Sequence, residues 1–225
     1  MTSTFKRFAT ALVLTSFLAA PALAQDNSEI ISTGQKAPVS HVFTIAPDDH
    51  LVGDANAPTT LIVYASVTCP HCSEWFNTMW PTIKTDFVET GKANVVMREF
   101  PTEPARVAMT GFILANCAPD FMTHIEYQMG IQKELFERLE AGDGEAAYEE
   151  MGAEAGLNSE DEMTACFKNE AAFNHITTSM DRAEAAKLKG VPAFYINGEQ
   201  FDQKTTVHEA LRALSEGGMS KIPGK

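Results

Sequence analysis

Two cysteines spaced as Cys69-Pro70-His71-Cys72 are the residues whose type and spacing carry the most chemistry in this chain. They follow a short β-branched and apolar run, Thr59-Thr60-Leu61-Ile62-Val63-Tyr64-Ala65, and they open a helical pattern with Trp75, Phe76, Met79, Trp80, Ile83 and Phe87 near helical spacing. A cysteine at such a strand-to-helix junction faces unpaired backbone N–H groups and the positive end of the helix dipole. Both stabilise a thiolate, which is the reactive form of the sulfur. Stabilising the thiolate favours the reduced dithiol and so makes the disulfide an oxidant. Cys69 is therefore expected to attack, Cys72 to be its partner, and Pro70 and His71 to complete the site. An imidazolium at His71 would favour a nearby thiolate, and its plainer reading is an exposed residue at a helix start.

Two blander uses of the pair compete. A zinc centre needs two more ligands, but the remaining cysteines stand apart from this pair and from each other, and no His-x₃₋₅-His pair exists. A structural staple closing four residues gains only about 1.9 kcal/mol by chain entropy. Redox catalysis is the stronger reading, and neither a metal nor any cofactor beyond the disulfide itself is expected. His41, His50, His124, His175 and His208 are scattered and are assigned no chemistry.

The elements that must position the pair follow from the patterns on either side. The Thr59–Ala65 run reads as a strand buried on both faces. A helix from Cys72 to about Glu89 is expected to kink at Pro81 and to stop at Gly91. Asn94 to Phe100 reads as a second strand, so strand, helix and strand form a parallel βαβ unit. His41 to Ile45 is a possible edge strand in a polar lead-in broken by Gly34, Pro38, Pro47 and Pro58. From Glu103 to about Lys189 only helical signals occur, interrupted by Pro119, Gly142, Gly144 and Gly156. Ser159 with Glu162 is a capping-box candidate. The Met- and Phe-rich stripe of this insert (Met109, Phe112, Met122, Met129, Phe136) reads as core rather than as a binding groove. After Gly190 come a strand, Val191 to Ile196, the turn signal Asn197-Gly198, and a helix from Thr206 to about Ser215. The expected fold is α/β, a βαβ plus ββα arrangement interrupted by an all-helical insertion. Its boundaries are 1–24 for a signal peptide, 25–57 for an extended N-terminal segment, 58–102 and 190–217 for the two halves of the βα unit, 103–189 for the insertion and 218–225 for a tail.

The first 24 residues read as an address. Lys6 and Arg7 precede an apolar run from Phe8 to Leu18, and Ala22-Leu23-Ala24 is the pattern of a signal peptidase site. The run is too short for a spanning helix, so export with cleavage after Ala24 is favoured over a retained anchor. An oxidising compartment, the periplasm, is the expected location. Removing Lys6 and Arg7 takes the formal charge from −13 to −15. Such an acidic surface, with no basic stripe, argues against nucleic acid as a partner.

The segment Tyr64-Ala65-Ser66-Val67-Thr68-Cys69-Pro70-His71-Cys72, with Gly190-Val191-Pro192-Ala193-Phe194 far downstream, resembles the DsbA family, and the likeness runs from about Asp48 to Ser215. The resemblance implies a thioredoxin fold interrupted by a helical domain and a cis peptide bond at Val191-Pro192 beside the active disulfide. It also implies oxidation of folding exported proteins and reoxidation by a quinone-linked membrane partner resembling DsbB. Val191 and Pro192 are then the expected substrate-binding residues, because proline has no N–H to donate and the Val191 backbone is exposed to an extended client segment. Where family members often carry a buried acidic residue six positions before the first cysteine, this chain has Val63. Proton transfer to the second cysteine is then expected to use water or another group. Cys117 and Cys166 both fall on predicted helices and could close a loop of about 50 residues worth about 4 kcal/mol. A structural bridge resembling one in some bacterial relatives is favoured over free thiols or a regulatory pair. A disulfide isomerase or reductase of the same fold, or a copper carrier using Cys69 and Cys72, are the alternative functions. The short lead-in leaves no room for a separate dimerisation domain, which favours a monomer.

Overall fold

The structure, a computed structural model, describes residues 39–201 and 207–216. The expected signal peptide, residues 25–38 of the extended lead-in and the expected tail lie outside the described residues.

Strands β1 (Leu51–Val52), β2 (Thr59–Ala65), β3 (Ala93–Glu99), β4 (Ala193–Ile196) and β5 (Glu199–Gln200) form one sheet in the order β1-β3-β2-β4-β5. β2 and β3 pair in parallel from Thr59 opposite Ala93 to Ala65 opposite Glu99, and β4 runs antiparallel to β2 with Val63 opposite Phe194. β2 is the central strand and is buried along nearly its whole length. Its alternate residues feed two cores, as strand pleating requires. Leu61, Val63 and Ala65 face one core with Phe76, Phe112 and Phe194, while Ile62 and Tyr64 face another with Val96, Ala183 and Tyr195. The tight turn between β4 and β5 needs two consecutive positive φ angles. Asn197 (49°) and Gly198 (85°) supply them, as the Asn-Gly signal predicts.

Between β2 and β3 the expected helix is divided. α1 (Pro70–Thr78) and α2 (Trp80–Ile83) are followed by a π-helical stretch, Lys84–Val88. Pro81 has no N–H to give to the carbonyl one turn earlier, and the chain breaks next to it at Met79. Between β3 and β4 run α3 (Ala105–Cys117), α4 (Phe121–Glu140), α5 (Gly144–Glu154), α6 (Glu160–Phe167) and α7 (Glu170–Ala185). The Ser159 hydroxyl accepts from the Glu162 N–H at 3.3 Å, and the Glu162 carboxylate accepts from the Asn158 N–H at 2.8 Å, a capping arrangement in which the glutamate reaches one residue further back than the motif specifies. Phe112, Met122 and Met129 of the apolar stripe are buried core residues. Cys117 and Cys166 are bonded, joining α3 to α6 across a sequence separation of 49. α8 (Val207–Ser215) packs Val207, Ala210 and Leu211 against the sheet.

The expected edge strand His41 to Ile45 does not form; β1 is Leu51–Val52 instead. The reason is a buried arginine. Arg98 on β3 is fully buried, and its guanidinium takes the carbonyls of Val42 and Thr44 (2.8 Å each), so those acceptors serve a cation instead of a β-ladder. Arg98 also donates to both Asp49 carboxylate oxygens (3.0 and 2.8 Å) and to the Tyr64 hydroxyl (2.9 Å). The Asp49 side chain is 1% exposed. A buried ion pair of this kind becomes a liability once one partner is removed, because the other charge is left desolvated. Asp49→Ala is therefore expected to lower stability by about 3–5 kcal/mol, read as a fall in the urea midpoint with unchanged slope.

Candidate active site

Cys69 ends the loop that leaves β2 and is the N-cap of α1, with extended backbone dihedrals (φ −89°, ψ 119°) and Pro70 at the first helical position. Proline suits that position because its missing N–H would have had no intrahelical partner. The Cys69 carbonyl accepts from the N–H groups of Cys72 and Ser73, both at 3.1 Å, which sets the first turn. The two cysteines are free thiols in this structure, Cys69 partly exposed and Cys72 fully buried.

The two sulfurs differ sharply. A hydrogen bond from the Cys72 thiol is the main influence holding the Cys69 thiol down, to about 6, against the opposing effect of partial burial. The backbone N–H groups of Cys72 and His71 act in the same direction although the sulfur makes no close capping bond, and the charge of His71 adds least. His71 itself is largely exposed, 3.8 Å from the Glu74 carboxylate. Its charge thus favours the Cys69 thiolate in the expected direction, as the smallest of these influences. Cys72 is pushed the other way, by its hydrogen bond to Cys69 and by burial. The Ser66 N–H approaches the Cys72 sulfur at 3.4 Å.

Several residues that sequence reasoning missed hold this loop. Gln132 on α4 is buried and donates from Nε2 to the carbonyls of Val67 (2.8 Å) and Cys69 (3.1 Å). The Ser73 hydroxyl and the Asn77 amide both donate to the Met129 carbonyl, tying α1 to α4. Gly111 on α3 lets that helix approach closely, since a Cβ there would meet Gln128 Oε1 and lie 2.9 Å from the Val67 side chain. The one signal available beforehand was the pair of amides, Gln128 and Gln132, set four residues apart on the otherwise apolar face of Ile125 and Met129. Val63 is buried in the apolar core, as its side chain dictates. The polar groups at this end of β2 are hydroxyls: Ser66, Thr68 and Thr102 are linked at 3.0 Å (Ser66 to Thr68) and 2.8 Å (Thr68 to Thr102).

Val191 and Pro192, distant in sequence, come beside the pair. The Val191–Pro192 peptide is cis, and the Cys69 thiol donates to the Val191 carbonyl at 3.5 Å. Trp75 packs on Phe194 with ring centroids 5.1 Å apart, which fixes α1 against the strand that carries this loop. Cys117 and Cys166 belong instead to a separate cluster in the helical insertion with Leu114, Leu135 and Met151.

A surface thiol held low and a buried thiol held high, at the mouth of a central strand, define a thiol:disulfide oxidoreductase built on a thioredoxin-type sheet. A family model described as thioredoxin matches residues 46–216, and the chain belongs to that family. A Rickettsia felis protein assigned as a protein-disulfide oxidoreductase is 25% identical over 208 residues, 90% of this chain and 72% of that protein. A Rickettsia typhi protein of the same assignment is 26% identical over 183 residues, 80% and 67% of the two chains. The crystal structure of Wolbachia pipientis alpha-DsbA1 shares the fold with a TM-score of 0.66 at 19% identity, over 80% of this chain and 98% of that one. A protein-disulfide isomerase from Novosphingobium aromaticivorans does so with a TM-score of 0.62 at 24% identity, over 79% and 100%. The fold is thus that of the DsbA proteins which the two sequence segments resemble.

Because the Cys72 thiol is the largest influence on Cys69, removing it is expected to matter more than removing the imidazole. Alkylation of reduced protein should titrate near pH 6. Its midpoint should rise clearly in Cys72→Ala and move little in His71→Ala. Equal shifts in both variants, measured by the pH dependence of the alkylation rate, would contradict the assigned order of causes.

Proposed function

We propose that this protein is an exported oxidase that donates its Cys69–Cys72 disulfide to folding proteins through a mixed disulfide at Cys69. The observation that carries the reading is the asymmetry of the pair, with Cys69 accessible and readily ionised and Cys72 fully buried. A client thiolate attacks the Cys69 sulfur of the disulfide. The new client–Cys69 bond forms as the Cys69–Cys72 bond breaks, and the Cys72 sulfur leaves and takes up a proton. A second client thiolate then attacks the client sulfur of the mixed disulfide. The client disulfide forms, Cys69 leaves as a thiolate, and two electrons have passed from client to enzyme. A sulfur with a low pKa is the better leaving group, which favours this last step.

The partly exposed segment of Val191 and Pro192 is the surface on which an extended client segment would lie, with the Val191 carbonyl already directed at Cys69. Regeneration is assigned to a quinone-linked membrane oxidase resembling DsbB, and the working location to the periplasm, reached with the residue 1–24 signal peptide. No helix among the described residues is long and apolar enough to cross a membrane. The protein acts as a monomer with no cofactor beyond its own disulfide.

Two measurements test the proposal. Cys72→Ala should accumulate covalent adducts with exported proteins through Cys69, because the resolving thiol is gone. Adducts that form equally well through Cys72 in Cys69→Ala would refute the assignment. The second measurement concerns direction. A folded-state thiol pKa lowered from about 9 to about 6 contributes stability that is fully present above about pH 9 and is lost as pH falls through about 6. The disulfide form lacks this contribution. Reducing Cys69–Cys72 should thus raise the denaturant midpoint at pH 8 relative to pH 5, opposite to the usual effect of opening a disulfide. An oxidised form that is the more stable at both pH values would place the protein with the reductases of this fold.

A further inference from the structure

Three residues assigned no chemistry in sequence come together away from the cysteine pair. One ring nitrogen of His50, one of His175 and one carboxylate oxygen of Glu99 all lie within 4.8 Å of one another. Glu99 ends β3 and is fully buried, and its Oε2 has no hydrogen-bond partner among the described residues. His50 immediately precedes β1, and His175 lies on α7, its side chain 12% exposed.

The hydrogen bonds around the cluster orient it. His175 Nε2 is 2.7 Å from the Asp48 carbonyl, which can only accept, so this nitrogen carries a proton. Its Nδ1 then faces Glu99 Oε1 at 2.7 Å, two electron-rich atoms that need a cation between them, either a proton or a metal. The Asn116 amide nitrogen donates to Glu99 Oε1 and to the Phe112 carbonyl, which fixes Asn116 Oδ1 as an acceptor. That oxygen lies 3.0 Å from His50 Nε2. The His50 ring is further held flat against Phe121, centroids 3.8 Å apart. An imidazole whose second N–H is held by a carbonyl is the usual outer support of a metal-ligating histidine.

We infer that His50, His175 and Glu99 form a binding site for a divalent transition-metal ion such as Zn²⁺. Two imidazole nitrogens and one carboxylate oxygen suit this class of ion, whereas Ca²⁺ and Mg²⁺ take oxygen ligands. Metal–ligand distances of about 2.0–2.1 Å require ligand atoms roughly 3.3 Å apart in a tetrahedral site, so the wider separations must close while His175 Nδ1 and Glu99 Oε1, now 2.7 Å apart, open slightly to admit the ion. The protein supplies three ligands, and solvent or Glu99 Oε2 completes the set. The ion would clamp the lead-in, the end of β3 and the helical insertion together, apart from the redox chemistry.

Metal-stripped, untagged protein with the Cys69–Cys72 disulfide formed, so that no free thiol competes, should bind one equivalent of Zn²⁺ in calorimetry. Affinity should fall by about 100-fold or more in His50→Ala and in His175→Ala and stay unchanged in His71→Ala and His208→Ala. Should the first two variants fail to fold, imidazole ¹⁵N spectra of the unsubstituted protein decide. Addition of Zn²⁺ must shift the His50 and His175 nitrogens alone. Binding weaker than millimolar, affinity retained in the His50 or His175 variant, or shifts confined to other histidines would overturn the site.

Discussion

The start of α1 is the constraint on which the rest of this structure depends. A helix leaves its first N–H groups without partners, and here those donors are aimed at a cysteine sulfur that also receives a thiol hydrogen bond from one turn further on. The effect works only while the turn keeps its geometry. Pro70 presets the first dihedral, the Cys69 carbonyl closes the turn, and Gln132 holds the preceding carbonyls from the far side. The helical insertion is therefore part of the active site's support. Its α4 supplies both the Gln132 donor and the Met129 carbonyl that anchors α1.

A second set of polar contacts holds the periphery to the sheet, and it does so with buried charge. Arg98 spends its donors on Asp49, Tyr64 and two lead-in carbonyls, and Arg182 of α7 reaches Asp48 and Asp49. One strand position further along β3, the Glu99 carboxylate meets His175 of α7, which in turn holds the Asp48 carbonyl. The lead-in, β3 and α7 are thus joined through adjacent residues of one strand whose side chains point to opposite faces. The Cys117–Cys166 bond plays the covalent counterpart within the insertion, where its small apolar cluster is separate from the main core.

Much of this was legible in the chain because it is encoded locally. The cysteine spacing after a β-branched run, the alternation of β2, the Asn197-Gly198 turn, the Ser159 cap and the glycines and prolines that punctuate the insertion each act over a few residues. Physical rules of that range can be read without knowing the fold. Boundaries were less secure where a tertiary contact outbid a local pattern. The alternation of His41 to Ile45 suggested a strand until the Arg98 guanidinium claimed its carbonyls.

What the sequence by itself determined is the reactive pair, its position at a strand-to-helix junction and the order of elements around it, because spacing and periodicity are properties of neighbours along the chain. Only the tertiary structure decided the order of the influences that hold Cys69 ionised, which groups brace its loop, and that the Val191 carbonyl, 122 residues away and expected nearby only from the family resemblance, is the group that meets its thiol. It also decided that His50, Glu99 and His175 meet. Except for the influence on Cys69, which comes from its own helical turn, those facts depend on distances of a few ångströms between residues far apart in the chain, and hydrogen bonding and desolvation are set by such distances rather than by the order of residues.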